Sequence, residues 1–198
     1  MGTVAAGFSM SLDGFIAGPD DDTGRVFAWM FSGDTDLRVT IGEEDMDLKM
    51  SSEHADEYQE MTRGTGAIVS GRRMFDVAKA WGGKHPMDVP VVVVTHNVPQ
   101  EWDKEGSPFT FVTDGVESAI EKAREIAGDK NIGVGGADIM RQCLKLGLLD
   151  EIHIDLVPVL LGQGVRLFEY MGIEPVELER IAASTSPGVT HLAFRVLK

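Results

Sequence analysis

The sequence predicts an α/β fold, in which helices cross over between the strands of one sheet. Short apolar runs rich in β-branched residues alternate with segments whose apolar residues recur at helical spacing. The run at residues 91–94 consists of four valines, which is typical of a strand buried on both faces of a parallel sheet. The end of the chain instead predicts two antiparallel strands joined around Pro187 and Gly188, so the sheet is expected to be mixed.

The first half of the chain combines clear strands with one stretch that lacks a pattern. Two short strands, at residues 3–9 and 15–17, flank the turn signal Asp13-Gly14. Residues 25–52 indicate either a hairpin or a mobile flap. Ser51 or Ser52 is expected to cap the next helix. The elements predicted after this cap are a helix to about Met61, a strand at 67–70, a helix from Gly71 to about Ala80, and strands at 91–94 and 109–112.

The second half contains the most regular helix. Asp114 followed by Glu117 resembles a capping box, and the apolar residues between 116 and 126 fall on one helical face. Gly128 is expected to end this helix. The elements predicted after it are a strand at 131–134, a helix from Gly135-Gly136 to near Gly147, and strands at 151–156, 177–184 and 190–196. The total is about eight strands and four helices.

Composition narrows the class of function. The 198 residues carry a net charge of −14, which disfavours binding to nucleic acids or to anionic membrane surfaces. A single cysteine, Cys143, suits a reducing cytoplasm and is expected to be a core residue. There is no apolar run of the roughly 18–20 residues that span a membrane, and we expect no secretory signal. Without an internal linker, residues 1–198 are expected to form one domain.

Two arginines mark the first of three strand-to-helix junctions that suit an anion. Ser70-Gly71-Arg72-Arg73-Met74 combines a glycine, which allows close approach of a ligand, with guanidinium groups that bind phosphate in a bidentate manner. The free N–H groups at a helix start also attract anions. The alternative interpretation is a solvated helix start with surface arginines.

The other two junctions carry polar residues and glycines. Thr95-His96-Asn97 follows the valine strand. Side chains at the carboxyl end of such a strand enter the crevice in which α/β proteins bind ligands. The alternative interpretation is a polar turn that leaves the sheet. Residues 133–138 place paired glycines before a helix, which exposes bare N–H groups to a diphosphate. Residues 133–138 do not match the dinucleotide fingerprint G-x-G-x-x-G. The alternative to diphosphate binding is a tight turn between strand and helix. Together, the three junctions predict one nucleotide-sized site. The five histidines show no paired ligand spacing, so we expect no metal.

Two longer stretches resemble a known family. Residues 9–17 (Ser-Met-Ser-Leu-Asp-Gly-Phe-Ile-Ala) resemble the first-strand signature of the dihydrofolate-reductase-like superfamily. They are similar in particular to the reductase domain of bifunctional riboflavin-biosynthesis deaminase-reductases and its stand-alone relatives. Residues 149–162 and 164–168 resemble the late strand of that family and the loop after it. The resemblance covers nearly the whole chain and is weakest over residues 25–60 and the last strands.

The resemblance implies a three-layer α/β/α domain around a mixed, mainly parallel sheet that binds NADPH. It places Ser9, Ile16 and Ala17 beside the nicotinamide. Arg72 is expected to bind the 2′-phosphate and thus to favour NADPH over NADH. The other cofactor contacts that it implies are Gly71, Arg73 and Met74 at a phosphate, Thr95 and His96 at the adenosine ribose, and Gly135, Gly136, Ala137, Asp138 and Ile139 around the diphosphate.

The function implied is hydride transfer from NADPH to a small heterocyclic, pterin-like or pyrimidine-like substrate, in folate or riboflavin metabolism. Asp13 and Asp155 are candidate catalytic groups. The alternative for Asp13 is a turn residue before Gly14, and the alternative for Asp155 is a residue that faces solvent. Trp29 is a candidate wall for a flat substrate, with core packing as the alternative. Riboflavin-pathway enzymes carry a glutamate where this chain has Val134. A non-catalytic NADPH-binding module is therefore the rival hypothesis, and a homodimer is expected in either case.

Overall fold

A computed structural model describes residues 2–169, 172 and 174–198, which contain twelve strands and five α-helices. The strands are β1 (Val4–Ser11), β2 (Phe15–Ala17), β3 (Thr35–Ile41), β4 (Glu44–Met50), β5 (Thr65–Gly71), β6 (Val91–Val94), β7 (Phe109–Val112), β8 (Asn131–Gly135), β9 (Glu151–Val157), β10 (Val165–Arg166), β11 (Leu178–Ser186) and β12 (Val189–Val196). The helices are α1 (Gly24–Phe27), α2 (Ser52–Gly64), α3 (Arg72–Val77), α4 (Val116–Ala127) and α5 (Ala137–Lys145).

Eight of the strands form one mixed sheet, in the order β11-β12-β9-β1-β8-β5-β6-β7. The six strands from β9 to β7 are parallel, and the β11–β12 hairpin pairs antiparallel with β9. This arrangement confirms the α/β prediction and the mixed, mainly parallel sheet. Because neighbouring parallel strands run in the same direction, the carboxyl ends of β1, β8, β5 and β6 lie along one edge of the sheet.

Helices cover both faces of the parallel strands. Alternate residues of β5 and β6 point to opposite faces, so that Val69 and Val92 pack against α4 and α5, whereas Ile68 and Val93 pack with Phe75 of α3. Cys143 of α5 is fully buried, and burial raises the pKa of its thiol to about 12. The expectation that Cys143 is a core residue is thus confirmed.

The stretch without a sequence pattern contains a hairpin. Strands β3 and β4 pair antiparallel from Thr35↔Met50 to Ile41↔Glu44 and form a separate two-stranded sheet. The hairpin and α2 enclose a second apolar cluster around Trp29. Ser51, one of the two expected caps, is the N-cap of α2, since its hydroxyl accepts a hydrogen bond from the backbone N–H of His54 at 3.3 Å.

Three details of the sequence prediction are wrong. Helix α3 ends at Val77, not near Ala80, because the chain turns into left-handed backbone from Lys79 onward. The capping box at Asp114 does not form: Gly115, at φ 111°, is the N-cap of α4, and Asp114 accepts a hydrogen bond from the Ser118 hydroxyl. The estimate of about eight strands and four helices missed β10, which pairs with the predicted strand β2, and α1; the hairpin alternative for residues 25–52 is the one that the structure confirms. No helix in the described part of the chain is long and apolar enough to cross a membrane.

Candidate functional site

The three junctions predicted from the sequence meet at the carboxyl edge of the sheet. In the strand register, Ser70 pairs with Gly135, and Gly71 pairs with Val94. The first and third junctions approach closely, since a Cβ atom built on Gly136 would lie 4.0 Å from the backbone nitrogen of Gly71. We call this surface, formed by Gly71, Arg72, Thr95, Gly135 and Gly136, the nucleotide edge.

The paired glycines form a cradle that side chains would fill. Gly136 has φ +93°, a conformation that residues with a Cβ rarely adopt. A Cβ on Gly135 would lie 2.8 Å from Sδ of Met74. Helix α5 then begins at Ala137 without a side-chain cap, so its first N–H groups have no capping partner. Such a cradle fits a nucleotide diphosphate.

Arg72 joins the first junction to the second. Its guanidinium donates to the carbonyl of Asn97 at 2.6 Å and to the carboxylate of Asp76 at 2.7 Å. The hydroxyl of Thr95 donates to the same carbonyl at 2.9 Å, while His96 is exposed beside it. Arg72 therefore links the carboxyl ends of β5 and β6 at this edge of the sheet.

Arg73 takes a different direction from Arg72. It donates two hydrogen bonds to Asp21, at 2.9 and 3.1 Å, and lines a cavity of about 420 Å³. Arg141 of α5 and Arg166 of β10 line the same cavity, and both were missed from the sequence. Arg141 lies four residues after Ala137, on the same helix face, and that spacing was the available signal.

The charges around this cavity balance. Its three arginines face the carboxylates of Asp20, Asp21 and Glu169. Arg73 pairs with Asp21, and Arg141 pairs with Glu169. An anion that entered this cavity would compete with these carboxylates for the guanidinium groups, so the present pairs limit its affinity.

The other predicted cofactor residues fall into two groups. A Cβ atom built on Gly71 would lie 3.1 Å from the side chain of Ile139. Asp138 is exposed and accepts a hydrogen bond from Gln142 at 2.7 Å. Met74 packs against the paired glycines, as noted above. Ile16 and Ala17 lie on β2, where Ala17 pairs with Val165. Ile139, Asp138 and Met74 therefore lie at or next to the cradle, whereas Ile16 and Ala17 lie on β2, which pairs with β10 outside the main sheet.

Asp13 holds the loop after β9. Its carboxylate accepts hydrogen bonds from the Ser11 hydroxyl at 2.6 Å and from the backbone N–H groups of Leu161 and Gly162. The Ser11 hydrogen bond, with those of Gly162 and Leu161, lowers the pKa of Asp13 to about 2. The geometry favours a loop-holding carboxylate, and a catalytic role for Asp13 stays a prediction.

Trp29 is 5% exposed and belongs to the apolar cluster beneath the β3–β4 hairpin. Its indole N–H donates to the hydroxyl of Ser9 at 3.0 Å. This contact places Trp29 beside the strand expected to face the nicotinamide, but on a packed face. Its burial favours core packing, and a direct contact with substrate stays a prediction.

Asp155 belongs to a cluster that the sequence analysis did not identify. Its carboxylate lies 2.7 Å from Nδ1 of His191, whose ring stacks on that of His54 at a centroid distance of 3.7 Å. His54 also lies 3.1 Å from Glu57. Burial, followed by the neighbouring His191, lowers the pKa of His54. We call His54, Asp155 and His191 the histidine cluster.

Comparison with known proteins finds one family model and several similar structures. Residues 2–191 match the model of the RibD C-terminal domain. An uncharacterized protein, YwjB of Bacillus subtilis, is 24% identical over 111 residues; the match spans 56% of this chain and 63% of that relative, less than two thirds of its length.

The similar solved structures share the fold at low identity. A putative riboflavin biosynthesis protein from Shewanella sp. is 19% identical with a TM-score of 0.75, and 99% of each chain is covered. A pyrimidine reductase-like protein from Corynebacterium diphtheriae is 16% identical with a TM-score of 0.65, over 100% of this chain and 92% of that one. The deaminase/5-amino-6-(5-phosphoribosylamino)uracil reductase of Thermotoga maritima is 14% identical with a TM-score of 0.62, over 99% of this chain and 57% of that one.

Proposed function

Because the chain belongs to the RibD C-terminal domain family, we propose that it is an NADPH-dependent reductase of a small heterocyclic substrate. The observation that carries this proposal is the convergence of three anion-friendly junctions on one sheet edge. A phosphorylated dinucleotide needs several such contacts in a row, and the nucleotide edge supplies them over adjacent parallel strands.

Each part of the cofactor has matching residues. Gly135, Gly136 and the start of α5 would hold the diphosphate, because α5 begins without a side-chain cap and the two glycines carry no side chain there. Arg72 would bind the 2′-phosphate, next to Thr95 and His96. Ser9, Ile16 and Ala17 would border the nicotinamide, in accord with the resemblance of residues 9–17. When bound, NADPH supplies the hydride, and the protein supplies position and polarity.

A pyrimidine-like substrate has the most support, with a pterin-like one as the wider class. Two structures of the same fold are described as a pyrimidine reductase-like protein and as a reductase of 5-amino-6-(5-phosphoribosylamino)uracil. A place in riboflavin or folate metabolism follows from the same proposal. We further propose that the chain acts as a homodimer, as expected from the resemblance.

Val134 favours a second candidate function. It is 4% exposed and packs in the main core, at the position where riboflavin-pathway enzymes carry a substrate-binding glutamate. An edge that binds NADPH without that carboxylate is also compatible with a dimeric binding module that does not turn over. The two candidates agree on binding and differ only in catalysis.

Cofactor oxidation separates the two functions. We would follow the loss of reduced nicotinamide absorbance with 5-amino-6-(5-phosphoribosylamino)uracil and with 7,8-dihydrofolate as probes. The reductase proposal expects oxidation that depends on the probe and disappears in Gly136→Val, a variant chosen to fill the cradle. Tight binding of NADPH without oxidation by any pyrimidine or pterin probe would support the binding module instead.

A further inference from the structure

The histidine cluster lies beside the strand that is expected to face the nicotinamide. Ser9 of β1 pairs with Asp155 of β9, which in turn pairs with His191 of β12. Side chains of register partners point to the same face, and adjacent strands are about 4.8 Å apart. Trp29 contacts both ends of this series: its indole N–H donates to Ser9, and its ring lies edge-on to the His54 and His191 rings at centroid distances of 5.0 and 5.2 Å. Asp155 is therefore one strand away from Ser9, at the proposed hydride-transfer position, and His191 is two strands away.

The two stacked imidazoles are suited to hold one proton between them. Their planes are 19° apart at a centroid distance of 3.7 Å, where two positive charges would repel each other strongly. Among the described residues, the charged groups that face the pair are Asp155 from β9 and Glu57 from α2, while Trp29 contributes no charge. Because the two rings are this close, a proton on one ring disfavours a proton on the other, so the pair is suited to hold one proton.

The hydrogen bond to Asp155 fixes the tautomer of His191. A carboxylate accepts only, so Nδ1 of His191 carries a hydrogen and Nε2 is the atom that gains or loses a proton. This Nε2 atom is buried and has no hydrogen-bond partner among the described residues. A buried polar atom without a partner lowers stability, and a role in proton transfer accounts for its presence.

The ring geometry favours a proton over a metal ion. Two imidazoles and a carboxylate within 4.8 Å of one another have suitable donor chemistry for a transition metal. However, an imidazole nitrogen binds a metal in the plane of its ring, at about 2.0–2.1 Å. Two nearly parallel planes separated by about the stacking distance cannot both contain the same ion. Metal binding would require the stack to open.

We propose that the histidine cluster supplies the proton that accompanies hydride transfer, an inference that rests on the proposed reductase function. Asp155 is the most exposed member, at 29% for its side chain against 15% for His54 and 10% for His191. Asp155 is therefore the catalytic residue that faces the substrate, and the two histidines are positioning residues that hold and return its proton.

The step balances in atoms and charge. When a hydride adds to the carbon of a C=N or C=O bond, the electron pair of the π bond moves to the nitrogen or oxygen. That atom takes a proton through Asp155: the Nδ1 proton of the His191 imidazolium passes to the Asp155 carboxylate and from there to the substrate, which leaves Asp155 ionised and the imidazole pair neutral. Water then returns one proton to the imidazole pair, so one proton is consumed per hydride transferred.

The first test measures the shared proton in the free protein. Side-chain ¹⁵N–¹H correlation spectra would be recorded from pH 5 to pH 8, with His54→Gln and His191→Gln used for assignment. We expect one coupled protonation step for the pair, at a midpoint at least about one pH unit lower in Asp155→Asn, because the carboxylate favours the charged ring. Two independent steps, or none in this range, would overturn the inference.

The second test measures the step itself with NADPH and 5-amino-6-(5-phosphoribosylamino)uracil in single turnover. Asp155→Asn should slow the hydride step at least about 100-fold, the usual range for loss of a general acid. His191→Gln should also shift the pH profile, and both variants should bind NADPH within twofold of wild type. His153→Gln is the matched control, since His153 forms an exposed pair with Glu151 on the same strand.

The outcomes separate this inference from the proposed function. Normal rates and pH profiles in Asp155→Asn and His191→Gln, with an active wild type, overturn the histidine cluster's role alone. A wild type that binds NADPH but reduces no probe overturns the reductase, and the proton-supply role fails with it. Uptake of Zn²⁺ that requires both His54 and His191 would also overturn the inference in favour of a metal site.

Discussion

The nucleotide edge and the histidine cluster lie on opposite sides of strand β1 in the sheet, and they consist of different kinds of groups. The edge consists of backbone, glycines and partly exposed arginines, as at Gly136 and Arg72. The cluster consists of largely buried side chains whose polar atoms need one another. Backbone N–H groups at a helix start bind an arriving anion with little rearrangement, whereas the cluster is sensitive to the gain or loss of one proton. Binding and proton transfer can therefore be disturbed separately.

The largest expected effect is at the glycine cradle. Gly136→Val should weaken NADPH binding about 100-fold, because a β-branched residue at φ +93° strains the backbone and its side chain fills the space over the N–H groups. Isothermal titration measures the affinity. Gly147→Val is the matched control, since Gly147 has φ +67° and open space around it. A similar loss of affinity in both variants would show that the cradle is not the binding surface.

His85 shows what burial without a carboxylate does to an imidazole, in contrast to the histidine cluster. Burial lowers its pKa from 6.5 to about 4, and its Nδ1 accepts a hydrogen bond from the N–H of Met87. Below pH 6.5 the unfolded chain therefore binds more protons than the folded one, and stability falls as pH drops towards 4. The wild type should therefore lose roughly 2 kcal/mol of unfolding free energy between pH 7 and pH 4.5 through His85, and His85→Gln should not show this loss.

Urea unfolding at pH 7 and pH 4.5 measures the effect of His85→Gln. The variant His96→Gln is the control, because His96 is exposed. If both variants lose stability with acid as steeply as the wild type does, burial of His85 is not the cause.

Arg72 tests the selectivity of the nucleotide edge. Arg72→Gln should weaken NADPH at least about tenfold more than NADH, since only NADPH offers a 2′-phosphate to the guanidinium. Arg180→Gln, on the exposed strand β11, should change neither affinity. Equal losses for the two coenzymes would contradict the 2′-phosphate assignment.

The smallest expected effect concerns the carboxylates that compete for the arginines. Asp21→Asn should free Arg73 and strengthen NADPH binding roughly two- to threefold, as expected for an ion pair whose guanidinium is exposed to solvent. Asp47→Asn, which breaks the exposed pair with Arg38, serves as the control. An unchanged affinity in Asp21→Asn would place Arg73 outside the binding surface.

Local signals were readable from the sequence and distant ones were not. The four valines of β6 and the glycines before α5 are patterns of a few residues, so the sheet and the meeting of the three junctions at its edge could be predicted. The cap of α4 was missed, because a left-handed Gly115 replaced the expected aspartate. His54 and His191 meet only after the sheet and α2 have folded, and no local pattern marks them.

Titration calorimetry of the wild-type protein with NADPH and with NADH tests the central claim most directly. We predict that one NADPH binds per chain and that NADH binds at least about tenfold more weakly, because it lacks the phosphate that Arg72 would hold. No heat from either coenzyme would contradict the assignment of the nucleotide edge and, with it, the reductase.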